Sequence, residues 1–145
     1  MFLRRRVPES GPLKAAVIGA GAFGRHHAGK YAAMAAKGDV TLYAVADPSP
    51  ETRAAIAAQY GCEVVADWRE LLAKVDLVSI CSPALSHYEI AKGFLNAGAH
   101  VLVEKPIATT RAQAAELVVL SREVDRLLTV GHQERFVFAR TGLLD

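Results

Sequence analysis

From Leu13 onward two kinds of pattern alternate along the chain. Short, almost unbroken apolar runs occur at 13–19 (LKAAVIG), 40–46 (VTLYAVA), 63–66 (EVVA), 76–81 (DLVSIC), 99–104 (AHVLVE) and 127–131 (LLTVG). Longer stretches of mixed polar and apolar residues lie between them. A strand with one wet face alternates strictly, whereas a strand covered on both faces reads as continuous Val, Ile, Leu and Ala. The six runs therefore predict six strands packed between helices.

The intervening stretches carry helix start and stop signals. Ser49 followed by Pro50 pairs an N-cap with proline at the first helical position, where a missing N–H costs nothing. Asp67-x-x-Glu70, Ser86-x-x-Glu89 and Thr110-x-x-Gln113 have the spacing of a capping box or a close variant. Gly61 and Gly98 fall where helices over 49–60 and 87–97 should stop, as left-handed C-caps. Strands that alternate with helices imply a mostly parallel sheet with right-handed crossovers, hence an α/β doubly wound, Rossmann-type fold. Neither an internal repeat nor a low-complexity tract interrupts the pattern.

Ligands of such sheets bind beyond the C-terminal ends of the strands, and the unusual residues gather there. After the first run, VIGAGAFG places Gly19, Gly21 and Gly24 in G-x-G-x-x-G register, between a strand and a helix. In that context Gly19 permits the tight turn, Gly21 lets the backbone approach a pyrophosphate, and Gly24 lets the helix pack close. The N–H groups near Ala22 and Phe23 then face the phosphates. Asp47 ends the second run, 23 residues past Gly24, near the spacing of an acid that hydrogen-bonds an adenosine ribose. Its charge disfavours a 2′-phosphate, so NAD is expected, with NADP possible because Arg53 lies one turn on. Asp47 could alternatively cap a turn before Pro48.

The fourth run leads into Ser82-Pro83 and then His87, expected in the first turn of a helix that faces the ligand crevice. The dipole there disfavours an imidazolium, so a neutral ring with one hydrogen bond is expected. His26 and His27 are adjacent and about 100° apart on a helix, which argues against a shared metal and for solvated or partly packed side chains. The fifth run ends in Glu104-Lys105-Pro106. Neighbouring strand residues point to opposite faces, so Glu104 and Lys105 are no ready ion pair. Pro106 keeps Lys105 extended and delivers it to the crevice. An ammonium there can hydrogen-bond an alcohol oxygen and relay its proton; the alternative is a lysine that merely snorkels at a strand end.

Bulk properties narrow the classes. With 145 residues, 52% hydrophobic and 22% charged, the chain suits one globular domain. Seventeen Lys and Arg against 15 Asp and Glu leave no basic footprint for nucleic acid. No run is long enough to span a membrane. Arg4, Arg5 and Arg6 resemble the start of a twin-arginine signal, but VPESGP follows where an apolar segment should, so residues 1–12 are expected to be a disordered extension. Cys62 and Cys81 lack metal-ligand spacing and suit reduced thiols in a cytoplasmic protein, and no metal site is expected.

VIGAGAFGRHHA, VADPSPE, CSPALSHYEIAKGFLNAGAHVLVEKPIATT and VGHQERF together resemble the N-terminal domain of the glucose–fructose oxidoreductase, inositol dehydrogenase and rhizopine-catabolism (Gfo/Idh/MocA) family. P-x-x-x-H followed by VLVEKP is the specific part. The resemblance implies that Lys105 is the catalytic lysine, that Glu104 and His87 lie near the cofactor, and that the substrate is a sugar, cyclitol, polyol or sugar derivative. It also implies that His132 and Arg135 approach substrate or cofactor, with Arg135 equally able to brace a domain junction. Residues 13–131 would form the dinucleotide-binding domain and 132–145 the start of a connection to a substrate domain. Family members carry that second, C-terminal domain, through which their assemblies largely form, so a homo-oligomer is expected of a full-length protein. This chain ends at Asp145. It is therefore expected to bind dinucleotide without efficient turnover, either as part of a dehydrogenase or as a stand-alone NAD(H)-binding or sensing module.

Overall fold

The computed structural model describes residues 11–133 and 139–141. Its elements run β1 (Leu13–Ile18), α1 (Ala22–Ala35), β2 (Val40–Ala46), α2 (Pro50–Tyr60), β3 (Glu63–Val65), a 3-10 turn (Trp68–Leu71), β4 (Leu77–Ile80), α3 (Ala84–Asn96), β5 (His100–Glu104), α4 (Arg111–Glu123) and β6 (Leu128–Gly131). Each predicted strand is present, within one residue at either end. The strands form one sheet in the order β3-β2-β1-β4-β5-β6, with every pair parallel. This is the Rossmann arrangement, and the strand order reverses between β1 and β4.

Alternation along the strands splits the core in two. Val17, Leu42 and Val45 pack with Ala28 of α1 and Ile56 of α2 on one face. Ala16, Ile18, Val78, Ile80, Val101 and Val103 pack with Phe94 and Leu95 of α3 and Leu117 of α4 on the other. Burying each large side chain contributes about 1.5–3 kcal/mol, so covering both faces is what makes the continuous apolar runs stable as strands.

Three caps are as read from sequence. Ser49 Oγ accepts the Thr52 N–H at 3.2 Å, Thr110 Oγ1 accepts the Gln113 N–H at 3.2 Å, and Gly61 closes α2 at φ +64°. Gly98 (φ +86°) lies just beyond α3, and its N–H reaches Leu95 O. The Asp67 to Glu70 box forms, but it caps the short 3-10 turn. The Ser86 cap does not form. α3 starts at Ala84 with Pro83 ahead of it, and Ser86 Oγ instead donates to Pro83 O at 2.7 Å. Proline fixes its own φ near the helical value, so the helix can begin three residues earlier than a Ser86 cap would allow. No helix among the described residues is long and apolar enough to cross a membrane.

Candidate functional site

β1 ends in a turn that only glycine can make. Gly19 has φ +85°, and a Cβ there would stand 2.8 Å from Ser82 N, so the turn lies against the backbone leaving β4. A Cβ on Gly24 would meet Gly19 O at 1.7 Å, which brings α1 directly onto the turn. Gly21 precedes α1 without a side-chain cap, and the first turn, which contains Ala22 and Phe23, has no acid. The positive end of α1 and its orphan N–H groups are thus offered to an anion, and nothing lies within 4 Å of a Cβ on Gly21. These residues fit a pyrophosphate.

Asp47 closes β2 beside this turn. Its Oδ2 accepts the Ala20 N–H at 2.8 Å and its Oδ1 the Ser49 N–H at 2.9 Å. Arg53 donates to the carbonyls of Asp47 (2.8 Å) and Pro48 (2.9 Å), so the guanidinium is held against the loop. Between these segments and the β4 loop opens a crevice of about 830 Å³, lined by Gly19, Gly21, Asp47, Ser82 and Pro83 among others. Ile18, Ala46 and Ile90 supply its apolar floor, and Trp68 and Arg69 its outer wall. The Arg69 guanidinium lies 4.6 Å from the Trp68 ring centroid. Cys81 also lines the crevice, and burial, with the Glu104 charge second, pushes its thiol up to about 12.

His87 departs from expectation. It is 1% exposed and turned into the protein, with Nδ1 2.7 Å from Pro106 O and Nε2 2.7 Å from Ser82 O. Carbonyl oxygens only accept, so each contact is a hydrogen bond when that ring nitrogen carries a proton. The ring expected to face the crevice instead lies between the loop after β4 and the turn after β5. The earlier start of α3 is the cause, because it moves His87 from the first turn to the fourth helical residue, on the sheet-facing side.

At the end of β5, Glu104 and Lys105 part as strand geometry requires. Lys105 is exposed, just before a cis bond to Pro106, whereas Glu104 is 8% exposed and points toward α1. Glu104 Oε1 accepts from His27 Nε2 at 3.0 Å and from Gln133 at 3.2 Å. His27 Nδ1 lies 3.1 Å from Ser79 Oγ, which lies 2.7 Å from the Tyr31 hydroxyl. His26 is exposed, as expected, but His27 belongs to a buried polar cluster that the sequence reading missed. The signal was present: Ser79 and Glu104 are polar residues on the α1-facing positions of apolar strands, and such residues need partners. Burial, above all, raises the Tyr31 pKa. His132 is exposed beyond β6, and Arg135 lies outside the described residues.

The structure therefore gathers Gly19, Gly21, Asp47, Ser82 and Pro83 on one crevice, with Ala22, Phe23 and Gly24 in the adjoining start of α1. His87 stands behind it, and Lys105 one strand over. The profile of the oxidoreductase family with an NAD-binding Rossmann fold (Gfo/Idh/MocA) matches residues 13–132.

The chain belongs to the Gfo/Idh/MocA family.

Among family relatives, UDP-N-acetylglucosamine 3-dehydrogenase of Acidithiobacillus ferrooxidans is 37% identical over 123 residues, covering 85% of this chain and 38% of that protein. The structure of scyllo-inositol dehydrogenase from Lactobacillus casei with bound NAD(H) and scyllo-inositol superposes with a TM-score of 0.79 at 27% identity, over 86% of this chain and 37% of the other. Biliverdin reductase from Synechocystis, in complex with biliverdin and NADP+, gives 0.79 at 30% identity, over 85% and 39%. The chain thus spans less than two fifths of the length of these proteins.

Proposed function

We propose that this chain is the dinucleotide-binding domain of an oxidoreductase that moves hydride between NAD and an alcohol carbon of a sugar, cyclitol, polyol or sugar derivative. The observation that carries the reading is the crevice. An uncapped helix start, a glycine turn and a strand-end carboxylate line or adjoin one space of about 830 Å³ at the point where strand order reverses. That combination suits a pyrophosphate flanked by a ribose. Dehydrogenase names among the relatives support the substrate class.

The nicotinamide group, when bound, supplies the hydride acceptor or donor. The chain's own residues do the rest. The α1 N–H groups neutralise phosphate charge, and the lone pairs of Asp47 not used by Ala20 and Ser49 accept from ribose hydroxyls. Asp47 opposes a 2′-phosphate, which favours NAD over NADP; Arg53, held to two carbonyls through Nη1 alone, leaves NADP possible. Lys105 Nζ holds and releases the proton of the reacting alcohol. The family resemblance assigns His132 and Arg135 a role toward substrate or cofactor. Hydride transfer needs the alcohol carbon held near contact distance, and a crevice with one wall does not hold it, so this chain alone binds cofactor with little turnover.

The test is a calorimetric titration of the folded chain with NAD and with NADP. Saturable binding, tighter for NAD, is expected; no binding of either overturns the reading. In the longest natural form of the protein, Lys105→Ala should cut turnover by roughly a hundredfold or more while cofactor affinity changes little. Near-normal turnover returns Lys105 to a snorkelling role.

A further inference from the structure

We infer that Tyr31, Ser79 and His27 form a hydrogen-bond chain of fixed polarity that holds the Glu104 carboxylate beneath the Lys105 turn, making His27 a positioning residue for the nicotinamide end of the bound dinucleotide. This rests on the dinucleotide reading above.

Polarity follows from the donors and acceptors. Ionised Glu104 only accepts, so His27 Nε2, 3.0 Å away, must carry a proton. In a singly protonated ring, Nδ1 is then bare and accepts from Ser79 Oγ at 3.1 Å. Ser79 has spent its proton and accepts from the Tyr31 hydroxyl at 2.7 Å. The raised Tyr31 pKa agrees with a hydroxyl that keeps its proton. Every link donates toward Glu104, and no buried side-chain polar atom among the described residues lacks a partner.

Two further observations tie the chain to the site. Gly131, paired with Glu104 across β5 and β6, has no Cβ; one there would stand 2.8 Å from both carboxylate oxygens. Its φ is not in the left-handed region, so the need for glycine is room for the carboxylate. The Glu104 charge also acts on Cys81, which lines the crevice. A carboxylate fixed there, one residue from Lys105, sets the strand end and favours the cationic, oxidised nicotinamide over the neutral, reduced one.

The experiment compares NAD+, NADH and ADP-ribose, which lacks nicotinamide, on wild type, His27→Gln, Ser79→Ala and Gly131→Ala. Ser79→Ala and Gly131→Ala disturb the cluster from opposite ends, so the test survives if one variant fails to fold. In folded variants ADP-ribose affinity should stay within about twofold, and NAD+ should weaken by about fivefold or more, the effect of one net hydrogen bond, with NADH less affected. Equal losses of NAD+ and ADP-ribose, or no change in either, overturn the inference and leave the dinucleotide reading standing. Wild type that binds ADP-ribose as tightly as NAD+ overturns it too. Wild type that binds neither overturns the dinucleotide reading, and this inference with it. Without ligand, nitrogen-resolved NMR of the histidine rings should show His27 protonated at Nε2 and bare at Nδ1; a proton at Nδ1 contradicts the polarity.

Discussion

Asp47 and Ala20 are joined across the top of the sheet: the carboxylate that ends β2 accepts, at 2.8 Å, the N–H of a residue inside the glycine turn that follows β1. The same carboxylate holds the Ser49 N–H that leads into α2. One side chain thus fixes the glycine turn and also stands at the proposed ribose position. Asp47→Ala should weaken NAD more than NADP, because the loss of ribose contacts is partly offset for NADP by removal of a repelling charge. Titrations with both cofactors decide it, and equal losses remove Asp47 from ribose recognition. The variant should also lose about 1–3 kcal/mol of stability for two N–H groups left without their acceptor, read as a lower urea midpoint.

Gly21 and Gly24 belong to one motif but should fail differently. A Cβ at Gly24 collides with Gly19 O, so Gly24→Ala should lower stability by about 1–3 kcal/mol or more, visible as a fall in Tm. A side chain at Gly21 meets no protein atom, so Gly21→Val should remain folded and lose dinucleotide binding. Retained affinity in Gly21→Val would mean that phosphate lies elsewhere.

Much of this was legible in the sequence because it is local. Apolar runs, turn glycines and the Ser49 and Thr110 caps depend on neighbours a few residues away, and they placed the strands and the crevice. What escaped depends on distant partners. Nothing near His27 in sequence names Ser79 or Glu104, which lie 52 and 77 residues on. Ser86 read as a cap because its spacing to Glu89 is right. Glu89 instead pairs with Arg69 from the 3-10 turn, and Ser86 Oγ turns to Pro83 O and Ser82. His87 followed that error inward, since its burial depends on where α3 begins.

His87 joins Ser82 O to Pro106 O, so it binds the β4 loop, part of the crevice lining, to the turn that carries Lys105. His87→Leu fills similar space and leaves the carbonyl that the ring N–H had satisfied without its donor, at a cost of about 1–3 kcal/mol. The urea midpoint should fall, and amide exchange should rise at 81–86 and 105–108 more than in β1 and β2. Uniform loss of protection would show that His87 supports only the general core.

The crevice thiol gives a pH dependence with a definite sign. In the unfolded chain Cys81 titrates near its ordinary value of 9.0, but in the folded chain burial, assisted by the Glu104 charge, pushes it up to about 12. Between those values the unfolded state releases its proton first, so the folded state loses relative stability as pH rises. Below pH 9 both states hold the proton and the contribution is fully present. Tyr31, also raised by burial, acts in the same direction at higher pH. Denaturant titrations from pH 8 to 11 should show declining stability in wild type and a flatter decline in Cys81→Ala. Iodoacetamide gives a second readout, because the thiolate is the reacting form: Cys81 should label far more slowly than a free thiol at pH 8.5, and bound NAD should slow it further by covering the crevice. Rapid labelling of the folded chain would mean that burial in the crevice does not hold the thiol in its protonated form.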